Sequence, residues 1–345
     1  MRVAVVGATG AVGSVMMRLL EERDFPVDSL VPVASARSVG RELDFKGGRL
    51  EVRGLTPEVF DGVDIAIFDV PDEVSARWVP VAAERGAVVI DKSAAFRMDP
   101  DVPLVVPEIN PHEAGDPPKG IIANANCTTL AIVLPLWALH RRWGLRRLVL
   151  ASYQAASGAG RPGIDDLWDQ TQRAAKEEDA VTAGGARGVL APGAAFPHPI
   201  ALNFIPQCGS VKEDGYTSEE LKLCNESRKI LGIPDLRVTA TCVRVPVVIG
   251  HGVAVHAEFE EPVDAAAARE LLGEADGVVV RDDVDNAIYP TALEAAGTDP
   301  CYVGRIRADR FDERALEMFC VADNLRKGAA LNAVQIAELR VRAVP

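Results

Sequence analysis

The sequence predicts an α/β protein, with an N-terminal Rossmann-like doubly wound parallel sheet followed by an α+β domain. Three observations predict it. A short apolar run at the N-terminus leads through a glycine-rich turn into an amphipathic helix. Short apolar runs then alternate with a helix-forming stretch as far as Ala123. From Leu148 onward the pattern changes to longer, β-branched runs separated by Gly-rich segments. The chain's 345 residues suffice for two domains of ordinary size.

Arg2 to Val6 reads as a buried strand. Gly7-Ala8-Thr9-Gly10-Ala11-Val12-Gly13 follows, then a helix with Val12, Val15, Met16, Leu19 and Leu20 on one face. Glycines in this G-x-x-G-x-x-G spacing permit a tight turn and close backbone approach to a pyrophosphate, which sits on the helix N-terminus. Placed at the first strand-to-helix turn, the motif points to a dinucleotide. The second strand, Leu30 to Ala34, ends in Ser35-Ala36-Arg37-Ser38. An NAD site usually places an acid there for the ribose 2′-hydroxyl, whereas Arg37 between hydroxyls suits a 2′-phosphate. That favours NADP, against the alternative of a solvated loop arginine. Further strands are expected at Asp64 to Phe68, Ala87 to Ile90, Leu104 to Val106 and Ile121 to Ala123, with a helix from Glu73 to Glu84 in which Pro80 introduces a kink. Leu148 to Tyr153 is strand-like and leads into Gln154-Ala155-Ala156-Ser157-Gly158-Ala159-Gly160. Helices are expected at Ile164 to Lys176 and Ser218 to Ile230, with a connection lacking periodicity from Gly184 to Pro199. Thr241 to Ile249 and Val253 to Phe259 read as two long strands around Gly250-His251-Gly252, able to bury one face and to pair with a second subunit.

The composition is globular, with 48% hydrophobic and 25% charged residues, and a net charge of −13. That charge argues against nucleic acid or an anionic membrane as partner, since both require a basic face. The longest apolar run, Leu130 to Leu139, is too short to span a bilayer and contains Pro135. Six scattered cysteines without a C-x-x-C pair argue against a structural zinc site and for a reducing compartment. With no signal-peptide pattern, a cytoplasmic protein without metal is expected.

Cys127 stands where the strand Ile121 to Ala123 ends and an apolar helix through Val133, Leu134, Trp137 and Ala138 begins. Unpaired N–H groups at a helix start favour a thiolate, which is the nucleophilic form. The alternative is a buried small hydrophobe. His251, flanked by glycines, is expected to be accessible and, with an ordinary pKa near 6.5, to serve as acid and base at neutral pH; the alternative is a turn histidine bonded locally. Strand alternation puts His256 on the opposite face, so the two form a poor metal site. Arg244 suits a substrate carboxylate or a surface position. Glu219 and Lys222 share a helix face, as a site pair or as a solvated one.

Taken together, Val3 to Gly13, Ala95-Phe96-Arg97, Asn124 to Thr128, Tyr153 to Gly160, Ala240 to Pro246, Gly250-His251 and Asp323 to Ala330 resemble the aspartate-semialdehyde dehydrogenase family nearly end to end. The resemblance implies reduction of L-aspartyl 4-phosphate by NADPH, a step toward lysine, threonine, methionine and diaminopimelate. It implies that Cys127 forms a thioester, that His251 gives acid-base help and that Gln154 orients the substrate. Arg244 would bind the substrate carboxylate and Glu219 its ammonium, while Arg97, Asn126 and Lys222 would hold phosphate. Thr9, Gly10, Ala11, Val12, Arg37, Ser38, Ser157, Gly158 and Asn324 match cofactor contacts. The implied organisation is an NADP-binding domain of residues 1–127 and 324–345, a catalytic and dimerisation domain of residues 128–323, and a homodimer or dimer of dimers.

Three departures stand out. The family's usual Ser-Ala-Gly-Gly after Phe68 is Asp69-Val70-Pro71-Asp72 here, its Asp-Asn-Ser-Ser is Asp91-Lys92-Ser93-Ala94, and its Asn-Pro-Asn-Cys is Asn124-Ala125-Asn126-Cys127. A carboxylate beside a pyrophosphate opposes binding unless it is paired, and Asp69 and Lys92 each follow a strand end, so an ion pair between them is expected. Two rival functions share the motifs: N-acetyl-γ-glutamyl-phosphate reductase, which would not need Glu219, and a non-catalytic NADP-binding paralogue.

Overall fold

The computed structural model describes residues 1–343; the last two residues of the expected 324–345 segment lie outside the described ones. The chain divides into two compact units, Met1–Asn126 with Asn225–Ile233 and Leu325–Pro345, and Cys127–Cys224 with Pro234–Asn324.

The first unit contains β1 (Arg2–Val6), α1 (Ala11–Glu22), β2 (Ser29–Ala34), β3 (Glu42–Phe45), β4 (Gly48–Glu51), β5 (Arg53–Gly54), β6 (Ile65–Phe68), α2 (Asp72–Glu84), β7 (Val88–Asp91), β8 (Leu104–Val105) and β9 (Ile121–Asn124). Seven strands form one sheet in the order β5-β2-β1-β6-β7-β9-β8, every pair parallel. Parallel strands covered on both faces need apolar residues on both, which is why Val3 to Val6 and Ile65 to Phe68 are continuous hydrophobic runs, all buried. The strand order reverses at β1 and β6, and ligands of such sheets bind at the carboxyl ends of the strands at this switch point. The hairpin β3–β4 is absent from the sequence reading. Its strands are short and mostly exposed, and its signal is the turn Lys46-Gly47, both residues with positive φ.

The second unit contains α3 (Cys127–Trp143), β10 (Leu145–Gln154), α4 (Gly160–Lys176), two short turns α5 (Glu178–Ala180) and α6 (Ala186–Val189), the start of α7 (Ser218–Leu231), β11 (Arg237–Arg244), β12 (His251–Phe259), α8 (Ala265–Gly273), β13 (Val278–Val280), α9 (Ala292–Ala295), β14 (Cys301–Ala308) and β15 (Ala315–Ala322). The mixed sheet runs β11-β10-β12-β15-β14-β13. The sheet alternates as a half-buried sheet must. Leu148, Leu150, Val253, Val255, Leu316 and Met318 are buried on one face, where α3 packs. Val149, Ala151, Tyr153, Ala254, His256 and Phe319 are partly open on the other. The final helix, α10 (Leu331–Ala343), belongs to the first unit, with Leu331, Val334 and Ile336 buried.

Several expectations need correction. The strand expected to run to Ile249 stops at Arg244, because Pro246 has no N–H for a ladder bond. The two strands around Gly250-His251-Gly252 do share one sheet, with β10 between them, parallel to β11 and antiparallel to β12. The helix expected from Ile164 begins at Gly160, since Pro162 is tolerated in a first turn. The connection from Gly184 opens with the short helical turn α6. The second half of α7, Asn225 onward, groups with the first unit rather than the second, and Asn324 with the second rather than the first.

Candidate active site

The second unit gathers its polar side chains at one end of its sheet. Gln154 ends β10, Arg244 ends β11 opposite it in register, and His251 begins β12. Odd–even alternation puts all three on the face covered by α3, whose first residue is Cys127. Cys127 Sγ lies 3.3 Å from His251 Nε2. Gln154 Nε2 donates to Thr128 Oγ1, and to Glu219 Oε1 at 3.1 Å, while Glu219 Oε2 accepts from Lys222 Nζ at 3.1 Å. Gln154 Oε1 is buried with no hydrogen-bond partner, an acceptor that an incoming donor would satisfy.

His251 is the clearest departure from expectation. It is fully buried, not accessible. Its Nδ1 accepts a hydrogen bond from the backbone N–H of Ala155 at 3.1 Å. That nitrogen therefore carries no proton, and the ring proton of the neutral imidazole sits on Nε2, facing the sulfur. Protonating Nδ1 would set N–H against N–H in a dry site. Burial, with the nearby Arg244 charge adding to it, pushes the pKa down to about 3. His251 is thus a fixed N–H donor to Cys127 at neutral pH, rather than the freely titrating group expected. The linkage has a definite sign. The folded pKa lies below the unfolded one, so the stabilisation is complete above about pH 6.5 and is lost as the pH falls toward about 3. In thermal melts, the stability of the parent relative to His251→Asn should decline over that window; a constant difference would contradict the assignment.

Arg244 is almost buried. Its Nη1 donates to the carbonyl of Ala155 at 2.7 Å, and its guanidinium lies 5.7 Å from the ring centroid of Phe196. The segment after Phe196 pairs with it, since Ile205 and Arg244 exchange both backbone hydrogen bonds. Gly158 is required here by space. A Cβ on it would come within 2.5 Å of Arg244 Nη1 and 3.2 Å of His251 Nε2. Ser157 and Asn324, expected at the cofactor, bond to each other at 2.9 Å, and Asn324 Oδ1 also accepts from Gly250 N–H, fixing the backbone next to His251.

In the first unit, Gly7 (φ +97°) directly follows β1 and Gly10 precedes α1 without any side-chain cap. The first N–H groups of α1, those of Ala11 and Val12 among them, are thus left for an anion. A Cβ on Gly13 would sit 2.1 Å from the carbonyl of Gly7, so glycine is what lets the helix close on the turn. Thr9 donates to Ser38 at 3.3 Å, joining the glycine-rich turn to the end of β2, where Arg37 is exposed. This cradle fits a dinucleotide pyrophosphate. Asp69 and Lys92 do form an ion pair, at 2.8 Å.

Arg97 and Asn126, the other expected phosphate ligands, are buried in this unit. Arg97 donates from Nε to the carbonyl of Asn124 at 2.8 Å, from Nη1 to Glu226 at 2.9 Å and from Nη2 to the carbonyl of Lys92. Two of its five N–H groups remain for an anion. Glu226 Oε2 accepts from the N–H of Asn126 at 2.7 Å, and Lys229 caps the carbonyls of Arg97, Asp99 and Val102. The sequence reading missed Glu226 and Lys229. The available signal is a polar stripe at helical spacing along α7, namely Glu219, Lys222, Glu226 and Lys229. Glu226→Gln leaves Arg97 without its counter-charge in a buried setting and should cost about 3 kcal/mol of stability in denaturant melts; a loss below about 1 kcal/mol, the range of an exposed pair, would contradict this reading.

Comparison with known proteins fits this geometry. A family model described as "Semialdehyde dehydrogenase, NAD binding domain" matches residues 2–116, and one described as "Semialdehyde dehydrogenase, dimerisation domain" matches residues 136–327. The aspartate-semialdehyde dehydrogenase of Streptomyces akiyoshiensis is 50% identical over 98% of each chain, and that of Aquifex aeolicus is 48% identical over 99% of this chain and 98% of its own. The crystal structure of aspartate semialdehyde dehydrogenase II from Vibrio cholerae, complexed with ASA, superposes with a TM-score of 0.92 at 42% identity, covering 99% of this chain and 98% of that one. The fold and the cysteine-histidine site define a member of the semialdehyde dehydrogenases, and within them the chain belongs to the aspartate-semialdehyde dehydrogenase family.

Proposed function

We propose that the chain catalyses NADP-dependent reductive dephosphorylation of L-aspartyl 4-phosphate. The acyl phosphate, NADPH and a proton give L-aspartate 4-semialdehyde, phosphate and NADP. The observation that carries this reading is Cys127 Sγ at the start of α3, 3.3 Å from a neutral imidazole nitrogen. The sulfur attacks the acyl carbon; the S–C bond forms, and the C–O bond to phosphate breaks with the electron pair leaving on phosphate. NADPH, when bound, supplies the hydride that takes the thioester to the aldehyde level. His251 Nε2–H stabilises negative sulfur before attack and again as the thiolate departs. Arg244, locked by Ala155 and Phe196, receives the substrate carboxylate, and Glu219 its ammonium. Gln154, anchored at both Thr128 and Glu219, orients the substrate near the sulfur. Arg97, Asn126 and Lys222 hold the phosphate. Thr9, Gly10, Ala11, Val12, Arg37 and Ser38 serve the NADP, with Ser157, Gly158 and Asn324.

The first unit is on this reading the NADP-binding domain and the second the catalytic and dimerisation domain. The half-open sheet face with Val149, Ala151, Tyr153, Ala254 and Phe319 suits a second copy of the chain, in a homodimer or a dimer of dimers. No helix among the described residues is long and apolar enough to cross a membrane; the enzyme is cytoplasmic on this reading. The test mixes aspartate semialdehyde, phosphate and NADP and follows nicotinamide absorbance. A rise that requires phosphate is expected. No rise, or a faster one with N-acetyl-glutamate semialdehyde, would overturn the assignment.

A further inference from the structure

We propose that Lys92 is a charge-compensating residue of the cofactor site: it cancels the charge of Asp69 and so lets a carboxylate stand beside the dinucleotide pyrophosphate. The inference rests on the reading of the first unit as an NADP site. Asp69 directly follows β6, and Gly7 directly follows β1, the two strands that flank the switch point. The two residues are in close contact. A Cβ on Gly7 would fall 2.1 Å from the carbonyl oxygen of Asp69, and one on Gly10 would lie 3.7 Å from Asp69 Oδ2. The carboxylate therefore borders the turn that leads into the uncapped start of α1. Uncompensated, it would repel a pyrophosphate across a partly dry gap, where screening by water is incomplete.

Lys92 removes that repulsion. It directly follows β7, the neighbour of β6, and its Nζ lies 2.8 Å from Asp69 Oδ1, with side chains only 25% and 15% exposed. A second tie joins the same two loops, as Asp72 accepts from the N–H of Ala94 at 2.8 Å. The two loops thus touch at two points, and at the ion pair one contributes a negative charge and the other a positive one. The pair is itself neutral, so losing one member alone should shift dinucleotide affinity, and losing both should bring it back.

Titration calorimetry with NADP on the full-length protein tests this without turnover. Lys92→Met should weaken binding about tenfold and Asp69→Ser should tighten it several-fold, about the effect of one partly screened charge. The double variant Asp69→Ser/Lys92→Met should return to within about threefold of the parent, and Lys92→Arg should match it. The effect should follow 2′-phospho-ADP-ribose, which keeps the pyrophosphate, and be missing for adenosine 2′-monophosphate, which lacks it. Should Lys92→Met fail to fold, Asp69→Ser and the double variant still decide. Unchanged or weaker binding in Asp69→Ser, or additive losses in the double variant, would overturn the inference. A parent chain that does not bind NADP would overturn the cofactor reading itself, and the inference with it.

Discussion

Cys127→Ser is expected to lose phosphate-dependent NADP reduction by at least about a thousandfold while binding NADP as the parent does. The loss follows from the proton arrangement around the sulfur, not only from the lower acidity of a hydroxyl. A serine hydroxyl needs a base within reach to become a nucleophile. The nitrogen facing position 127 already carries a proton, because the other ring nitrogen is occupied by the N–H of Ala155. His251 can stabilise an anion there but cannot take a proton from a neutral alcohol without giving up the Ala155 bond. A cysteine escapes this restriction because a thiol is intrinsically far more acidic than an alcohol, and the start of α3 adds favourable N–H groups. The check is the absorbance assay with both proteins, alongside a thermal melt. A serine variant within about tenfold of the parent would mean that His251 acts as a general base after all.

The second large effect is expected at Gly158. Its alanine variant adds a methyl whose carbon would lie 2.5 Å from Arg244 Nη1 and 3.2 Å from the His251 ring. The imidazole is held at Nδ1 and is fully buried, so the guanidinium must move. Moving it breaks the 2.7 Å bond to the carbonyl of Ala155 and withdraws the arginine from the face of Phe196. A misplacement of this kind should lower kcat/KM for aspartate semialdehyde about a hundredfold, mostly through KM. Overall stability should change little, because Gly158 is exposed on its other side. An unchanged KM for aspartate semialdehyde would show that Arg244 is not its carboxylate ligand.

Sequence patterns carried the nucleotide domain further than the second one, for physical reasons. Parallel strands buried on both faces write themselves as unbroken apolar runs, so Arg2 to Val6 was legible at its true bounds and Ile65 to Phe68 to within a residue. In the mixed sheet only alternate positions are buried, and β13 and β14 lack a signal strong enough to stand out from their surroundings. Pairing order was beyond the reach of periodicity: nothing local to Gly250-His251-Gly252 says that β10 will lie between the strands on either side. The position of Cys127 was legible because a helix start is a local feature. The state of His251 was not, because it depends on an N–H contributed by Ala155, far away in sequence. Glu226 was hidden for a similar reason, since its partners Arg97 and Asn126 are brought to it only by the fold.

The reactivity of Cys127 can be read against five internal controls. Cys208, Cys224, Cys242, Cys301 and Cys320 are all buried, and burial pushes Cys208 up to about 12 and Cys242 and Cys320 higher still. The most direct measurement therefore mixes the protein with aspartyl phosphate in the absence of NADPH, follows released phosphate, and maps the acyl adduct by peptide mass spectrometry. Release of phosphate matched by an aspartyl thioester on the Cys127 peptide is the predicted result. Phosphate release with no adduct there, or an adduct on any of the other five cysteines, would contradict it.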